Sequence, residues 1–193
     1  MILAGVFIVQ DKVNNMKATA PTFFDHPVFV QKSGFLTTPA METTKDAITR
    51  WLWTGQTGAF IHGGSRAGKT TAILTIRTQI QGRDGKVVPS HYASMVTRDT
   101  NTIRAVFREL CRTANIEIGR HTSDELSDQF VYYVTDQCAK AESGSFILFV
   151  DEVQRLIPSQ ISAFAEIHDK LRDIFDIHLL IIFNMVPFSF KVV

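Results

Sequence analysis

Residues 59–71, AFIHGGSRAGKTT, run from a short apolar stretch through a cluster of glycines into a lysine and two threonines. The apolar part, Ala59–His62, reads as a strand. The periodic stretch from Lys69 to about Gln81, closed by Gly82, reads as a helix. Between them the spacing is G-x-x-x-x-G-K-T. Gly63 allows a sharp turn off the strand, and Gly68 allows the backbone to approach a ligand closely. The N–H groups of Gly64, Ser65, Arg66 and Ala67 then point inward at a helix N-terminus, where the dipole favours an anion. Lys69 can reach β- and γ-phosphates as a point charge, the Thr70 hydroxyl can ligate Mg²⁺, and Thr71 ends the loop. Taken alone, the stretch could also be a glycine-rich turn with a chance lysine.

A second stretch decides against chance. A loop that holds phosphates needs a carboxylate at the tip of a neighbouring buried strand to hold the magnesium. FILFVDE (146–152) supplies it, with five apolar residues ahead of Asp151. Glu152 follows, placed to polarise an attacking water. LLIIFN (179–184) repeats the pattern and ends on Asn184, a polar amide where strand ends face the ligand crevice. Asn184 could orient the water or touch the γ-phosphate, or it could start a turn before Pro187.

Outward from these stretches the chain alternates strand and helix, the pattern of a mostly parallel sheet covered on both faces. Thr38-Pro39 starts a helix reaching about Trp53, with Met41, Ile48, Trp51 and Leu52 near one face and Gly55 and Gly58 closing it. A strand lies near Val87–Met95, where Pro89 demands either a sheet edge or a start after the proline. Helices follow near Thr102–Thr113, Asp124–Ala141 and Ser159–Phe175. Residues 1–37 read as an irregular arm and 38–193 as one α/β domain; if Met16 is the start, residues 1–15 are an upstream extension. The apolar first ten residues are too short to cross a bilayer and lack a basic leader, so no membrane association is expected.

Of 193 residues, 45% are apolar and 20% charged, with a net charge of +1, so a nucleic-acid role would need a local basic patch. The stretch MVTRDTNTIRAVFRELCR (95–112) offers one. Arg104, Arg108 and Arg112 stand four apart on one side of a helix whose other side carries Ile103, Val106, Phe107 and Leu110. Arg98 precedes it. Such a row suits a phosphate backbone, and it equally suits a solvated face on which Glu109 and Asp99 balance part of the charge. Cys111 and Cys138 read as buried free thiols, which fits a reducing, cytoplasmic setting. The six histidines have no metal-type spacing, and no zinc site is expected.

The order of phosphate loop, apolar run with Asp-Glu, and polar strand end resembles an AAA+ ATPase of the three-layer P-loop class. That resemblance implies the strand order 5-1-4-3-2, MgATP as cofactor, Asp151 as the magnesium acid, Glu152 as the catalytic acid, and Asn184 as the first sensor. RWLWTGQTGAFIHGGSRAGKTTAI (50–73), with FILFVDEVQRL (146–156) and HPVFVQKSGFLTTPAM (26–41), is similar to the TnsC/TniB type of transposition ATPase. This narrower resemblance implies an ATP-dependent homo-oligomer on DNA, linking target DNA to a transposase or target-selector protein. It also implies DNA contacts near Arg98 and an adenine pocket near Phe35–Pro39. ExeA-like ATPases of secretion or DNA-segregation machines share the same core, and a nucleotide-binding module with little hydrolysis is a further alternative. The family continues past the fourth strand into a fifth strand and a helical lid, with an arginine serving the neighbouring subunit. Here nine residues follow Asn184, none of them arginine. The expectation is therefore a truncated core without a lid, its phosphate-loop strand left at an edge, hydrolysing ATP slowly by itself.

Overall fold

The computed structural model describes residues 37–96 and 102–186. The first helix, α1 (Pro39–Trp53), begins as its sequence demands: Thr38 is extended, its hydroxyl accepts the Met41 N–H at 3.3 Å, and Pro39 takes the first helical turn. After α1 come β1 (Gly58–His62), α2 (Lys69–Ile76), β2 (Ser90–Ser94), α3 (Ile103–Thr113), α4 (Ser123–Ala141), β3 (Ser145–Asp151), α5 (Pro158–Phe175) and β4 (His178–Met185). A short 3-10 helix, Val153–Arg155, follows β3.

The strands form one parallel sheet in the order β1-β4-β3-β2. Alternation along β3 and β4 divides the core. Phe146, Leu148, Val150, Leu179, Ile181 and Phe183 pack with α3, α4 and α5, whereas Ile147, Phe149, Leu180 and Ile182 pack with Ile48 and Leu52 of α1 and Ile73 and Ile76 of α2. The result is three layers. Each such side chain, fully buried, contributes about 2 kcal/mol of transfer free energy, so the two central strands anchor the sheet. All four strands point the same way, and their C-terminal ends deliver His62, Ser94, Asp151 and Asn184 to one side of the sheet.

Several boundaries differ from the sequence reading. Helix α2 stops at Ile76 rather than near Gln81, because Gln81 bridges Val87 in a small antiparallel hairpin and Ile80 accepts the Val88 N–H at 3.0 Å. Gly85, at φ +77, turns that hairpin. Strand β2 is shorter than expected. It begins after Pro89 and also lies at an edge, so both consequences drawn from the proline hold. Gly55, at φ +73, does end the turn after α1, while Gly58 opens β1 instead of closing the helix. Asp151 ends β3 and Asn184 is the penultimate residue of β4, at the strand tips where the sequence places them. β1 lies at the other edge, where Phe60 is 61% exposed and stacks on Phe183. Among the described residues, no helix is long and apolar enough to cross a membrane.

Candidate nucleotide-binding site

The loop that leaves β1 and the tips of β3 and β4 enclose a cavity of about 320 Å³. Ser65, Arg66, Ala67, Gly68, Lys69, Thr70 and Thr71 line it from the loop side. Asp151, Glu152 and Asn184 line it from the strand tips. Gly68 caps α2 at φ +78, in the left-handed region where a Cβ is disfavoured. Gly63 and Gly64 are not among the lining residues, and their carbonyls accept the Lys69 ammonium at 2.7 and 2.8 Å. A Cβ on Gly63 would come within 3.4 Å of the Lys69 side chain, so the glycine leaves the lysine room to fold back. An ammonium held on two neutral carbonyls is available to exchange them for phosphate oxygens, which are stronger acceptors.

Asp151 is the centre of the polar cluster. It is buried, and its Oδ2 accepts the Thr70 hydroxyl at 2.7 Å and the Tyr92 hydroxyl at 2.6 Å. Its Oδ1 accepts the Asn184 amide at 2.6 Å and the Glu152 backbone N–H at 2.8 Å. Thr70 and Asp151 are 81 residues apart in sequence, so this contact joins the two motifs into one site. The Asn184 side chain is 1% exposed, and its Oδ1 has no hydrogen-bond partner. A buried orphan acceptor is costly in a purely structural position. Its strand location removes the turn-starting reading of this asparagine.

Glu152 takes a left-handed backbone, φ +59, directly after the strand. Five non-glycine residues have such a φ among the described residues, and two of them, Arg66 and Glu152, line this cavity. Strained backbone of this kind gathers at functional sites. The Glu152 carboxylate accepts Gln154 Nε2 at 2.7 Å and pairs with Arg155 at 3.2 Å. Arg155 also donates to the Met95 carbonyl at 3.1 Å, tying Glu152 to the end of β2.

The oxygen donors fit a hard divalent cation. Thr70 and Asp151 supply a hydroxyl and a carboxylate side by side, and no group of three or more His, Cys, Asp or Glu side chains forms a metal site among the described residues. A cation here would depend on phosphates and water for its other ligands, which is how Mg²⁺ is held in nucleotide sites.

Tyr92, Gln154 and Arg155 were not singled out by the sequence. Tyr92 belongs to no motif and becomes visible through register alone: it pairs with Phe149, two residues before Asp151 on the same face. Burial and its bond to Asp151 hold the Tyr92 phenol well above its ordinary range, so it stays a donor.

The arginine row fares differently. Arg98 lies outside the described residues, as do Phe35 and Leu36 of the proposed adenine pocket. Arg104 donates to the His121 carbonyl at 2.7 Å, and Arg108 is exposed. Glu109, expected to balance charge on a solvated face, is instead 1% exposed and grips the Arg112 guanidinium. The α3 turn carrying Glu109 faces inward, toward Met95, Arg155 and Gln160, so Arg112 is drawn into an ion pair and leaves the row. Cys111 and Cys138 are buried free thiols, and burial pushes both up to about 11.

A family model described as an AAA domain matches residues 53–190. Among solved structures, the chain is similar to Cdc6p from Pyrobaculum aerophilum, with 18% identity, a TM-score of 0.50, and coverage of 82% of this chain and 42% of that one. It is also similar to the Orc1 protein of Aeropyrum pernix, solved in complex with DNA, with 14% identity, a TM-score of 0.55, and coverage of 80% and 41%. At these identities the likeness speaks for the fold alone, and the chain spans about two-fifths of the length of those proteins. No curated protein matches the chain.

Proposed function

The chain belongs to the AAA-domain family of P-loop ATPases, and on that premise we propose that it binds MgATP in the cavity between the glycine loop and the tips of β3 and β4. In this reading Lys69 and the loop N–H groups hold the triphosphate, and Thr70 and Asp151 hold Mg²⁺. The bound cation would draw charge from the phosphates. Glu152 orients and deprotonates the attacking water, and Asn184 fixes its position beside the γ-phosphate. The observation that carries this reading is the Thr70–Asp151 hydrogen bond of 2.7 Å, with Asn184 on the other carboxylate oxygen.

We further propose that the energy of ATP serves a DNA transaction, with regulation of transposition as the finer assignment. Support for the DNA part comes from the exposed Arg108 and from the fold likeness to an Orc1 protein solved with DNA. The transposition part rests on the resemblance of residues 50–73 and 146–156 to TnsC/TniB ATPases, with assembly of copies on DNA and a transposase or target selector as partner. A replication-initiator-like role is the second reading, favoured by the same Orc1 likeness.

Calorimetry with MgATP and turnover measured with and without duplex DNA test the proposal. The expected result is one site per chain and slow turnover that rises with DNA. Absence of heat with MgATP overturns the nucleotide reading, and turnover indifferent to DNA overturns the DNA reading. To separate transposition from initiation, pull-down is compared between a transposase and a replicative helicase.

A further inference from the structure

The Asp151 carboxylate is saturated. An ionised carboxylate offers about four lone-pair positions, and four donors fill them: Thr70 and Tyr92 on Oδ2, Asn184 and the Glu152 N–H on Oδ1. A magnesium ion held partly through water needs a place on that carboxylate for its water shell. One of the four donors must therefore yield. The Glu152 N–H is fixed by the backbone. Asn184 is buried inside β4 with its amide already committed. Thr70 need not move, because a hydroxyl can donate to Asp151 while lending a lone pair to a cation.

Tyr92 is the donor with somewhere to go. It stands on β2, an edge strand, and is among the residues that line an open cleft of about 400 Å³, with Arg77, Pro89 and Tyr133. Tyr92 is half-buried rather than enclosed, so water can take the place of Asp151 as acceptor for the phenol. A phenylalanine at this position would fill the same space beside Phe149 without competing for the carboxylate.

We propose that the Tyr92 hydroxyl is a placeholder on the metal-binding carboxylate. It occupies the Oδ2 position in the metal-free protein and is displaced when MgATP binds. Tyr92 is thus a positioning residue that keeps Asp151 aimed at the cavity and weakens Mg²⁺ relative to metal-free nucleotide. The inference rests on the nucleotide reading above and deepens it by naming what the cation must displace.

The test is the gain in ATP affinity on adding Mg²⁺, obtained by calorimetry in EDTA and in Mg²⁺ for the wild type and Tyr92→Phe. The expected result is equal affinity in EDTA and a magnesium gain about fivefold larger in the variant, the size of one competing hydrogen bond. An equal or smaller gain in Tyr92→Phe overturns the placeholder. If Tyr92→Phe does not fold, the wild type labelled with 3-fluorotyrosine decides. The chain has three tyrosines, and Tyr132→Phe and Tyr133→Phe assign the remaining resonance. That resonance is expected to move with MgATP but not with ATP in EDTA, and a resonance that stays still in both, or moves equally in both, refutes the idea. A wild type that binds ATP in neither condition marks failure of the nucleotide reading itself, a different result.

Discussion

The tips of the strands and the outer face of α3 were both picked out by residue spacing, and the fold treats them differently. At the strand tips, residues from three separate stretches converge on one carboxylate within 2.8 Å. On α3 the three arginines share a side and yet scatter in role: Arg104 serves the His121 carbonyl, Arg112 serves buried Glu109, and Arg108 alone is left exposed and uncommitted among the described residues. The difference lies in what sets the geometry. A strand, a tight loop and a helix N-terminus fix backbone positions, and a buried parallel sheet fixes which strand ends are neighbours. Helical spacing fixes only which side chains share a side. What each one meets there depends on the neighbouring elements.

The strongest way to break the contrast is to remove chemistry from the tips and find nothing lost. With Glu152 as the base for water, Glu152→Gln is expected to lower turnover about a thousandfold while ATP affinity stays the same. Steady-state phosphate release beside calorimetry checks it. Unchanged turnover would leave Glu152 as an ordinary partner of Arg155. Next in size, Lys69→Ala is expected to weaken ATP binding about a hundredfold, the loss of charge-assisted bonds to the triphosphate. Isothermal titration reads this directly, and undiminished binding would reduce the loop to a turn.

Buried His91 sharpens the comparison from another side, because it is polar and buried without any proposed part in chemistry. It bonds Thr113 at 2.9 Å and packs edge-on against Phe130 and Tyr133, and burial, aided by Arg77, lowers it to about 4. Its folded value lies below the unfolded one, so the unfolded chain takes up a proton first as pH falls. Stability from this group is complete above about 6.5 and is lost progressively down to about 4. Between pH 7 and 5 the wild type is expected to lose about 2 kcal/mol that His91→Gln does not lose. Urea denaturation at the two pH values checks this, and parallel losses in both proteins would show that His91 titrates normally.

The contrast also explains what was legible in the sequence. The two motifs and the apolar runs exposed the layers and ten of the cavity's lining residues, because each is written locally, whereas the strand order came only with the family resemblance. Pro89 even marked the edge strand. The end of α2 was not legible, since the hairpin that interrupts it depends on Val87 and Val88 returning to Gln81 and Ile80. Nor was Tyr92, whose approach to Asp151 needs the β2–β3 register. Glu109 was misjudged for the same reason: its burial is decided by β2 and the segment after β3, not by α3.

A subtler break is available at Asn184. Its amide orders Asp151, and its Oδ1 lies buried without a partner. Asn184→Ala removes both, so turnover is expected to fall about tenfold, one charge-assisted bond's worth, with little change in melting temperature because an unsatisfied acceptor leaves with the lost bond. A large fall in stability would instead class Asn184 as a core residue.

The smallest effect belongs to α3, and it decides whether that face has any role. Of the described arginines in the row, Arg108 has no partner to lose, so Arg108→Ala should leave the fold untouched. Arg104→Ala also breaks the bond to the His121 carbonyl. One phosphate contact contributes about one unit to the slope of log affinity against log salt. Arg108→Ala is therefore expected to weaken duplex binding about threefold and flatten the salt slope by about one. Fluorescence anisotropy across a salt series separates the possibilities. A matching slope in variant and wild type means that Arg108 is merely solvated, and any DNA contact must then lie elsewhere on the chain. A flatter slope would mean that Arg108, left without a partner among the described residues, is an arginine the DNA uses.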